Sequence, residues 1–543
     1  MKGSDLFVKC LENEGVQYVF GLPGEEMEDI LFSLERSSIK FIPTRHEQGA
    51  AFMADMWGRL SGEAGVCLST LGPGATNLVT GVADANLDKS PVVAISAQAG
   101  IQKLHKESHQ YLDLVDLFHP VTKWNGTISA AQVIPEVVRK AFKVAESEKP
   151  GATHIEFSED VAGDEIQGEP ILSKRVRRPD PDNAALEEAV GLLKKAQHPM
   201  IIAGNGAVRK MASEQLTELV KKHNIPVAHT FMGQGAVSDL ETQSLFTIGF
   251  GFRDIVMDAV DQADLIIAVG YDIAEYAPDA WNPDKSKKII HIDFTPAEVY
   301  VHYQPNVEIV ADIPATLKAL NEKLDSNGVV FDSSWYKIVR WRIIKDRSTY
   351  ALKEGQPFTV PGVLNILQSL MHNDDLLISD VGSHKIWVAR NFSACCPNGC
   401  IISNGLASMG IALPGAVAAA LHSPARRIVA VMGDGGFLMN SQELETAKRL
   451  NVGFTVIIFN DNDYGLISWK QQMSKGASTG TKITNPDFKA YAESFGIKGY
   501  RPGNLRELTG QLKRSLSLKE LCVFEIPIDV SVNQELIRKL NPA

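Results

Sequence analysis

The chain has 543 residues, 44% of them hydrophobic and 22% charged, with a formal net charge of −11 and a pI near 5.7. That length exceeds what one hydrophobic core supports, and the composition is that of an ordinary globular protein. The acidic balance argues against nucleic acid and anionic membrane as partners, and no apolar run reaches the ~20 residues of a membrane-spanning helix.

Residues 1–167 alternate strand and helix as a doubly wound unit does. A helix over residues 1–14, which does not read as a secretory signal, leads into a strand over residues 18–21 that ends in Leu22-Pro23-Gly24. A second strand, 39–43, ends in Thr44-Arg45-His46-Glu47-Gln48 and is followed by an Ala/Met-rich helix over residues 49–61. Strand 65–69 runs into Thr70-Leu71-Gly72-Pro73-Gly74-Ala75-Thr76-Asn77, which opens another helix, and strands 91–96 and 153–157 complete the set. Residues 168–183, charged and proline-bearing, read as a linker. A second α/β unit spans 184–325, with strands at 200–203, 226–228, 265–269 and 288–292. Its turn Ala203-Gly204-Asn205-Gly206 could cradle a phosphate but reads better as a plain tight turn. Residues 325–357 suit a second connection wrapping the surface. The third unit, 358–543, has strands at 376–379, 428–432, 454–459 and 523–526. Six cysteines in a chain this long give no disulfide framework; Cys395, Cys396 and Cys400 lack paired CxxC spacing and read as a reduced surface turn, which points to the cytoplasm. The fold class expected is α/β, with three doubly wound parallel-sheet domains.

The most informative stretch is 427–462. Strand 428–432 ends in Gly433-Asp434-Gly435-Gly436, then Leu444, Ala447 and Leu450 recur at near-helical spacing, and strand 454–459 ends in Asn460-Asp461. A strand–helix–strand unit of this length makes its strands parallel, so both acidic tips leave the sheet at one edge, where open α/β sheets bind ligands. Asp434 and Asp461, hard oxygen donors beside a glycine turn and a helix start, suit a divalent cation carrying a diphosphate.

Gly433-Asp434-Gly435 followed by Asn460-Asp461 resembles the GDG…NN signature of thiamine diphosphate enzymes. The resemblance implies Asp434 and Asp461 as Mg²⁺ ligands, with the backbone carbonyl of Asp463 as a third; the family usually has Asn at the Asp461 position. Glu47, in RHEQGAAFMA, matches the glutamate that hydrogen-bonds N1′ of the aminopyrimidine. The chemistry needs it, because the thiazolium C2–H is a weak acid and a carboxylate on N1′ favours the imino tautomer whose nitrogen can take that proton. Further matches imply cofactor contacts from Pro23 in FGLPG, from Thr70, Gly74 and Asn77 in STLGPGATN, and from Val381, Gly382, Ser383 and His384. Ala407 and Met409 in NGLASMG match the segment that holds the cofactor bent; Gly433, Gly435, Gly436, Asp463, Tyr464, Gly465, Leu466 and Ile467 complete the implied cofactor set. The same resemblance implies a thiamine diphosphate-binding fold with a pyrimidine-binding domain at 1–167, a central domain at 184–325 and a diphosphate-binding domain at 358–543.

Within that group the chain resembles the acetolactate synthase family, in its catabolic, FAD-independent branch, through RHEQGAAFMA, Ser108-His109-Gln110, Gly270-Tyr271-Asp272, Gly382-Ser383-His384-Lys385-Ile386-Trp387 and the GDGGFL stretch. FAD-dependent relatives carry FQE where this chain has His109-Gln110-Tyr111, and RFDDRVTG where it reads Tyr271-Asp272-Ile273-Ala274-Glu275-Tyr276; the missing arginine weakens the case for FAD. The implied reaction decarboxylates pyruvate and joins the resulting hydroxyethyl enamine to a second pyruvate, giving 2-acetolactate and CO₂. Gln110 is implied near the reacting carbon, with Ile467 and Trp469 on the acceptor side. Enzymes preferring 2-oxobutyrate carry Trp where this chain has Lys470, which favours pyruvate over other 2-oxo acids. In this group the two domains completing one site come from different subunits, which implies a homodimer or homotetramer with shared active sites. Another thiamine diphosphate reaction on a 2-oxo acid (decarboxylase, flavin-dependent oxidase, or carboligase with a different donor) stays open as an alternative, as does a non-catalytic scaffold of the same fold.

Overall fold

Runs such as Leu265–Val269 and Ile428–Gly433 are apolar on both faces, and they become inner strands of parallel sheets covered by helices. In the computed structural model, which describes residues 1–174, 176–209 and 211–540, three six-stranded sheets follow one another along the chain. The first contains β1 (Tyr18–Gly21), β2 (Lys40–Pro43), β3 (Gly65–Ser69), β4 (Val92–Gln98), β5 (Trp124–Ile128) and β6 (Ala152–Ser158), in the order β2-β1-β3-β4-β6-β5. The second contains β7 (Pro199–Ala203), β8 (Val227–His229), β9 (Ser244–Thr247), β10 (Leu265–Val269), β11 (Lys288–Asp293) and β12 (Val307–Val310), ordered β12-β11-β10-β7-β8-β9. The third contains β13 (Leu376–Ser379), β14 (Cys400–Ile402), β15 (Ile428–Gly433), β16 (Thr455–Asn460), β17 (Lys498–Tyr500) and β18 (Cys522–Pro527), ordered β14-β13-β15-β16-β18-β17.

Three expectations change. The strands β5, β9, β12, β14 and β17 were not anticipated. The 325–357 stretch is not a surface wrap: it holds the helix Ser334–Ser348, whose Trp335, Tyr336 and Val339 are buried against the second sheet. The CCPNGC motif is not wholly a surface turn either, since Cys400 is buried in β14 while Cys395 and Cys396 are half-buried; all six cysteines are free.

The first and third units pack face to face through the helices Glu47–Ser61, Pro73–Leu87 and Ala412–His422. Small residues set the spacing. A Cβ on Gly81 would fall 2.5 Å from Ala51 Cβ, and one on Gly415 would fall 2.8 Å from Met56 Cε. Enlarging Gly81 would force packed helices apart, typically costing about 1–3 kcal/mol, whereas at Gly415 the flexible Met56 terminus would have to turn aside. A buried polar seam runs along the same interface. Arg59 pairs with Asp55 (2.8 Å), Asp84 (3.0 Å) and Asp88 (2.7 Å). Asp84 accepts from Ser403 Oγ (3.0 Å) and Ser408 N (3.2 Å), and Asp88 from Gly405 N (2.5 Å), so the 403–408 segment is moored to the helix that starts at Pro73. Among the described residues no helix is long and apolar enough to cross a membrane.

Candidate cofactor site

Strand register brings the acidic tips together. Gly433 on β15 pairs with Phe459 on β16, so Asp434, the first residue of the helix Asp434–Asn440, stands beside Asn460-Asp461. Asp434 is buried; its Oδ1 accepts from Gly435 N (2.8 Å), and its Oδ2 from Asn462 N (2.8 Å) and Asn485 Nδ2 (2.7 Å). Asp461 Oδ1 accepts from Asp463 N at 3.1 Å. Burial, and then the Asp434 carboxylate, push Asp461 up to about 7, and burial also raises Asp434. Two adjacent carboxylates that resist ionising together are what a divalent cation relieves. The Asp463 side chain is engaged elsewhere, 3.0 Å from Lys482 Nζ.

His384, in the helix Ser383–Asn391 that follows β13, is 2% exposed. A Cβ on Gly382 would lie 2.8 Å from its Cε1 and one on Gly433 3.5 Å from its Nδ1, which puts the ring between the tips of β13 and β15. Burial lowers the imidazole to about 4, so it is neutral at pH 7, and its buried Nε2 has no hydrogen-bond partner in the chain. A Cβ on Gly465 would meet Asp461 Oδ2 at 2.7 Å and Ser383 Oγ at 3.1 Å, so the serine sits at the same edge. On the other side, a Cβ on Gly435 would fall 2.8 Å from the Tyr464 ring and 3.7 Å from Met409 Cε. Asp380 Oδ1 accepts from Val381 N (2.7 Å) and Gly410 N (2.8 Å), and its Oδ2 would lie 2.8 Å from a Cβ on Gly436. Ala407, at φ 58°, takes the left-handed conformation in the segment Asp380 tethers. An orphaned neutral histidine nitrogen, a serine hydroxyl and N–H groups at a helix start suit a diphosphate, and the carboxylate pair suits its cation. The helix Gly465–Lys475 then presents Ile467, 51% exposed, on one face, while Leu466 and Trp469 pack into the core, Trp469 against Phe252.

A second group gathers at the tips of the first sheet. Glu47 is the first residue of its helix, two residues earlier than the expected start, and is 4% exposed. Its Oε2 accepts from Asn77 Nδ2 at 3.0 Å, and its Oε1 would lie 3.3 Å from a Cβ on Gly74. That same Cβ would touch Thr70 Cγ2 at 2.8 Å, and a Cβ on Gly24, next to Pro23, would touch Thr70 Cβ at 2.4 Å. Pro23, Glu47, Thr70, Gly74 and Asn77 are thus brought together. Gln110 joins them: it is exposed, holds φ 57°, and its carbonyl would lie 2.7 Å from a Cβ on Gly72.

Sequence reasoning missed three residues here. Glu443, fully buried, accepts from Arg45 N (3.0 Å), His46 N (3.1 Å) and Thr446 Oγ1 (2.6 Å), so a carboxylate of the third unit holds the start of the Glu47 helix. Burial pushes it up to about 7. Glu26 accepts from Thr70 Oγ1, and Asn485 donates to Asp434. No motif marks them, because their partners lie far away in the chain, 398 residues for Glu443 with Arg45. A separate cavity of about 330 Å³, lined by Arg59, Asp88, Asn205, Arg209, Met232 and Asn398, lies where the three units meet and shares no lining residue with the candidate cofactor set.

Comparison with known families follows the division into three units. Residues 1–117 match the N-terminal TPP binding domain of thiamine pyrophosphate enzymes, residues 186–320 their central domain, and residues 380–526 their C-terminal TPP binding domain. Fold and site together define a thiamine diphosphate enzyme. The acetolactate synthase of Bacillus subtilis (strain 168) is 34% identical over 98% of this chain and 94% of its own. The catabolic acetolactate synthase of Raoultella terrigena is 34% identical over 99% and 97%, and a probable acetolactate synthase large subunit of Methanocaldococcus jannaschii 35% over 97% and 92%. The chain belongs to the acetolactate synthase family.

Proposed function

We propose that the chain converts two molecules of pyruvate into 2-acetolactate and CO₂, using thiamine diphosphate and Mg²⁺ and needing no FAD. The observation that carries this is the pairing of two buried acidic sites: Glu47 with Asn77 at one sheet edge, Asp434 with Asp461 at the other. Bound thiamine diphosphate supplies an acidic C–H and an electron sink for decarboxylating a 2-oxo acid.

The chain's own residues do the rest. Asp434, Asp461 and the carbonyl of Asp463 would hold the cation. Ser383, His384 and the backbone at Val381, Gly382, Gly433, Gly435 and Gly436 would take the diphosphate. Ala407, Met409, Tyr464, Gly465 and Ile467 would line the cofactor between its two ends, with Leu466 packed into the core behind them. Pro23, Thr70, Gly74 and Asn77 would hold the pyrimidine, and the Glu47 carboxyl, held by Asn77, is the group that could exchange a proton with it. Gln110 and Ile467, both exposed in one chain, would face the reacting acids, while Trp469 anchors the same helix to the core against Phe252. The exposed Lys470, which leaves the acceptor side without a second indole, favours pyruvate as acceptor.

The second unit supports the FAD-independent part. Its crevice between β7 and β10 is where a dinucleotide phosphate would sit in such a sheet. Here the turn's amides are already used: Gly204 N on Val269 O (3.0 Å), Gly206 N on Gly270 O (2.9 Å) and Asn205 N on the buried Glu275 carboxyl (3.0 Å). A phosphate would have to displace a carboxylate and break backbone pairing.

Incubation with pyruvate, thiamine diphosphate and Mg²⁺, with and without FAD, tests the proposal. The expected product releases acetoin on acid treatment and forms at the same rate without FAD. Acetaldehyde as sole product, or a requirement for FAD, would overturn it.

A further inference from the structure

Asn485 sits at the metal edge with no role assigned above. Its Nδ2 lies 2.7 Å from Asp434 Oδ2, 3.1 Å from Asn460 Oδ1 and 3.1 Å from Asn462 Oδ1. Three oxygens around one amide terminus identify it as the nitrogen, because the flipped amide would set oxygen against oxygen. Two hydrogens therefore serve three acceptors, one of them charged, at the junction of the β15 and β16 tips. The Asn485 carbonyl oxygen is buried there without a partner.

The backbone around Asn485 is fixed from both sides. Ahead of it, residues 481–483 lie antiparallel on the loop after Asp461, with Tyr464 N on Thr481 O (2.9 Å), Ile483 N on Asn462 O (3.1 Å) and a bridge between Asp463 and Lys482. Behind it, Pro486 ends the extended run and Asp487 caps the helix Phe488–Ser494 through Ala490 N (2.8 Å). The strap thus delivers one amide to the place where two strand tips must be held in register.

We propose that Asn485 is a positioning residue for the divalent cation: it fixes the rotation of the Asp434 carboxylate, ties it to the β16 tip, and couples cation binding to the order of the 478–485 strap. The inference rests on Asp434 and Asp461 being the cation's ligands. Its physical basis is that a ligating carboxylate binds well only when its free lone pairs are already aimed, and removing the group that aims them typically costs 10–100-fold in metal affinity. Asn485 acts through Asp434. Lys482, whose side chain is 76% exposed, places a trypsin-sensitive bond inside the strap and so reports its order.

Mn²⁺ binding to the full chain with thiamine diphosphate, read from the loss of the free-ion electron paramagnetic resonance signal, tests this. Asn485→Ala is expected to weaken Mn²⁺ binding roughly 10–100-fold. Mn²⁺ should slow tryptic cleavage after Lys482 in the wild type and leave it unchanged in the variant. Asn485→Leu, which keeps the size and removes the donor, should behave alike and guards against a cavity effect in the alanine form. If both variants bind Mn²⁺ within twofold of the wild type, the positioning role is wrong. If the wild type itself binds no Mn²⁺, the ligand assignment of Asp434 and Asp461 falls, and this inference with it.

Discussion

Glu47 is the residue on which the proposed chemistry turns, and its surroundings allow a clean test. Asn77 donates to Oε2 at 3.0 Å, a bond a glutamine oxygen can also accept. Glu47→Gln therefore removes the charge and proton exchange while leaving the helix start in place. Turnover of pyruvate is expected to fall roughly 10²–10⁴-fold, with thiamine diphosphate affinity, followed by tryptophan fluorescence, changing far less. Unchanged turnover would exclude Glu47 from the proton path. Glu47, Asp434 and Asp461 were legible in the sequence because each ends or follows an apolar strand in a short, recognisable pattern, and parallel strands carry such tips to one edge. Asn485 was not legible: it lies in a loop of ordinary polar composition, and only folding sets it against Asp434. The burial of Trp469 was equally hidden, since an aromatic two places after an exposed isoleucine reads the same on either face of a helix.

Elements explain most of what the sequence left out. The unanticipated strands β5, β9, β12, β14 and β17 are all edge strands in the observed orders. An edge strand pairs on one side only and needs no long apolar run; β12 alternates buried and exposed residues, and β17 is the three-residue run Lys498–Tyr500. Inner strands, each with an apolar and mostly buried run, were readable to within a residue or two. The start of the Glu47 helix depends on a long-range contact, with Glu443 of the third unit accepting from Arg45 N and His46 N. Burial raises Glu443 from 4.5 to about 7, so the folded chain retains a proton that the unfolded chain releases. Its favourable contribution is full below about pH 4.5 and is lost as pH rises through about 7. Glu443→Gln keeps an acceptor for Arg45 N and His46 N without the ionisation cost. Urea titrations should find the variant close to wild type at pH 5 and more stable at pH 8, by up to about 3 kcal/mol. Equal destabilisation at both pH values would mean that the carboxylate is ionised and favoured in the folded state.

At the scale of the whole molecule, among the described residues neither half of the proposed site lines either of the two best-formed cavities of one chain. Around the third sheet's tips, Leu406 (38% exposed), Leu438 (38%), Met439 (42%) and Ile467 (51%) present apolar surface beside buried carboxylates. Such a patch suits cover by another protein surface. If that cover is the first unit of a second copy, each site takes Glu47 from one subunit and Asp434 from the other. Complementation then discriminates shared from self-contained sites. Glu47→Gln and Asp434→Asn subunits should each be inactive alone. Mixed by denaturation and refolding, half of randomly paired dimers are hybrids, and each hybrid carries one site with both substitutions and one with neither. Activity should therefore return to about one quarter of wild type. Sites built within one chain would each keep a defect in every pairing, and the mixture would stay inactive. Sedimentation of the same samples would show whether pairing occurred, separating a failure to dimerise from a failure of the shared-site arrangement.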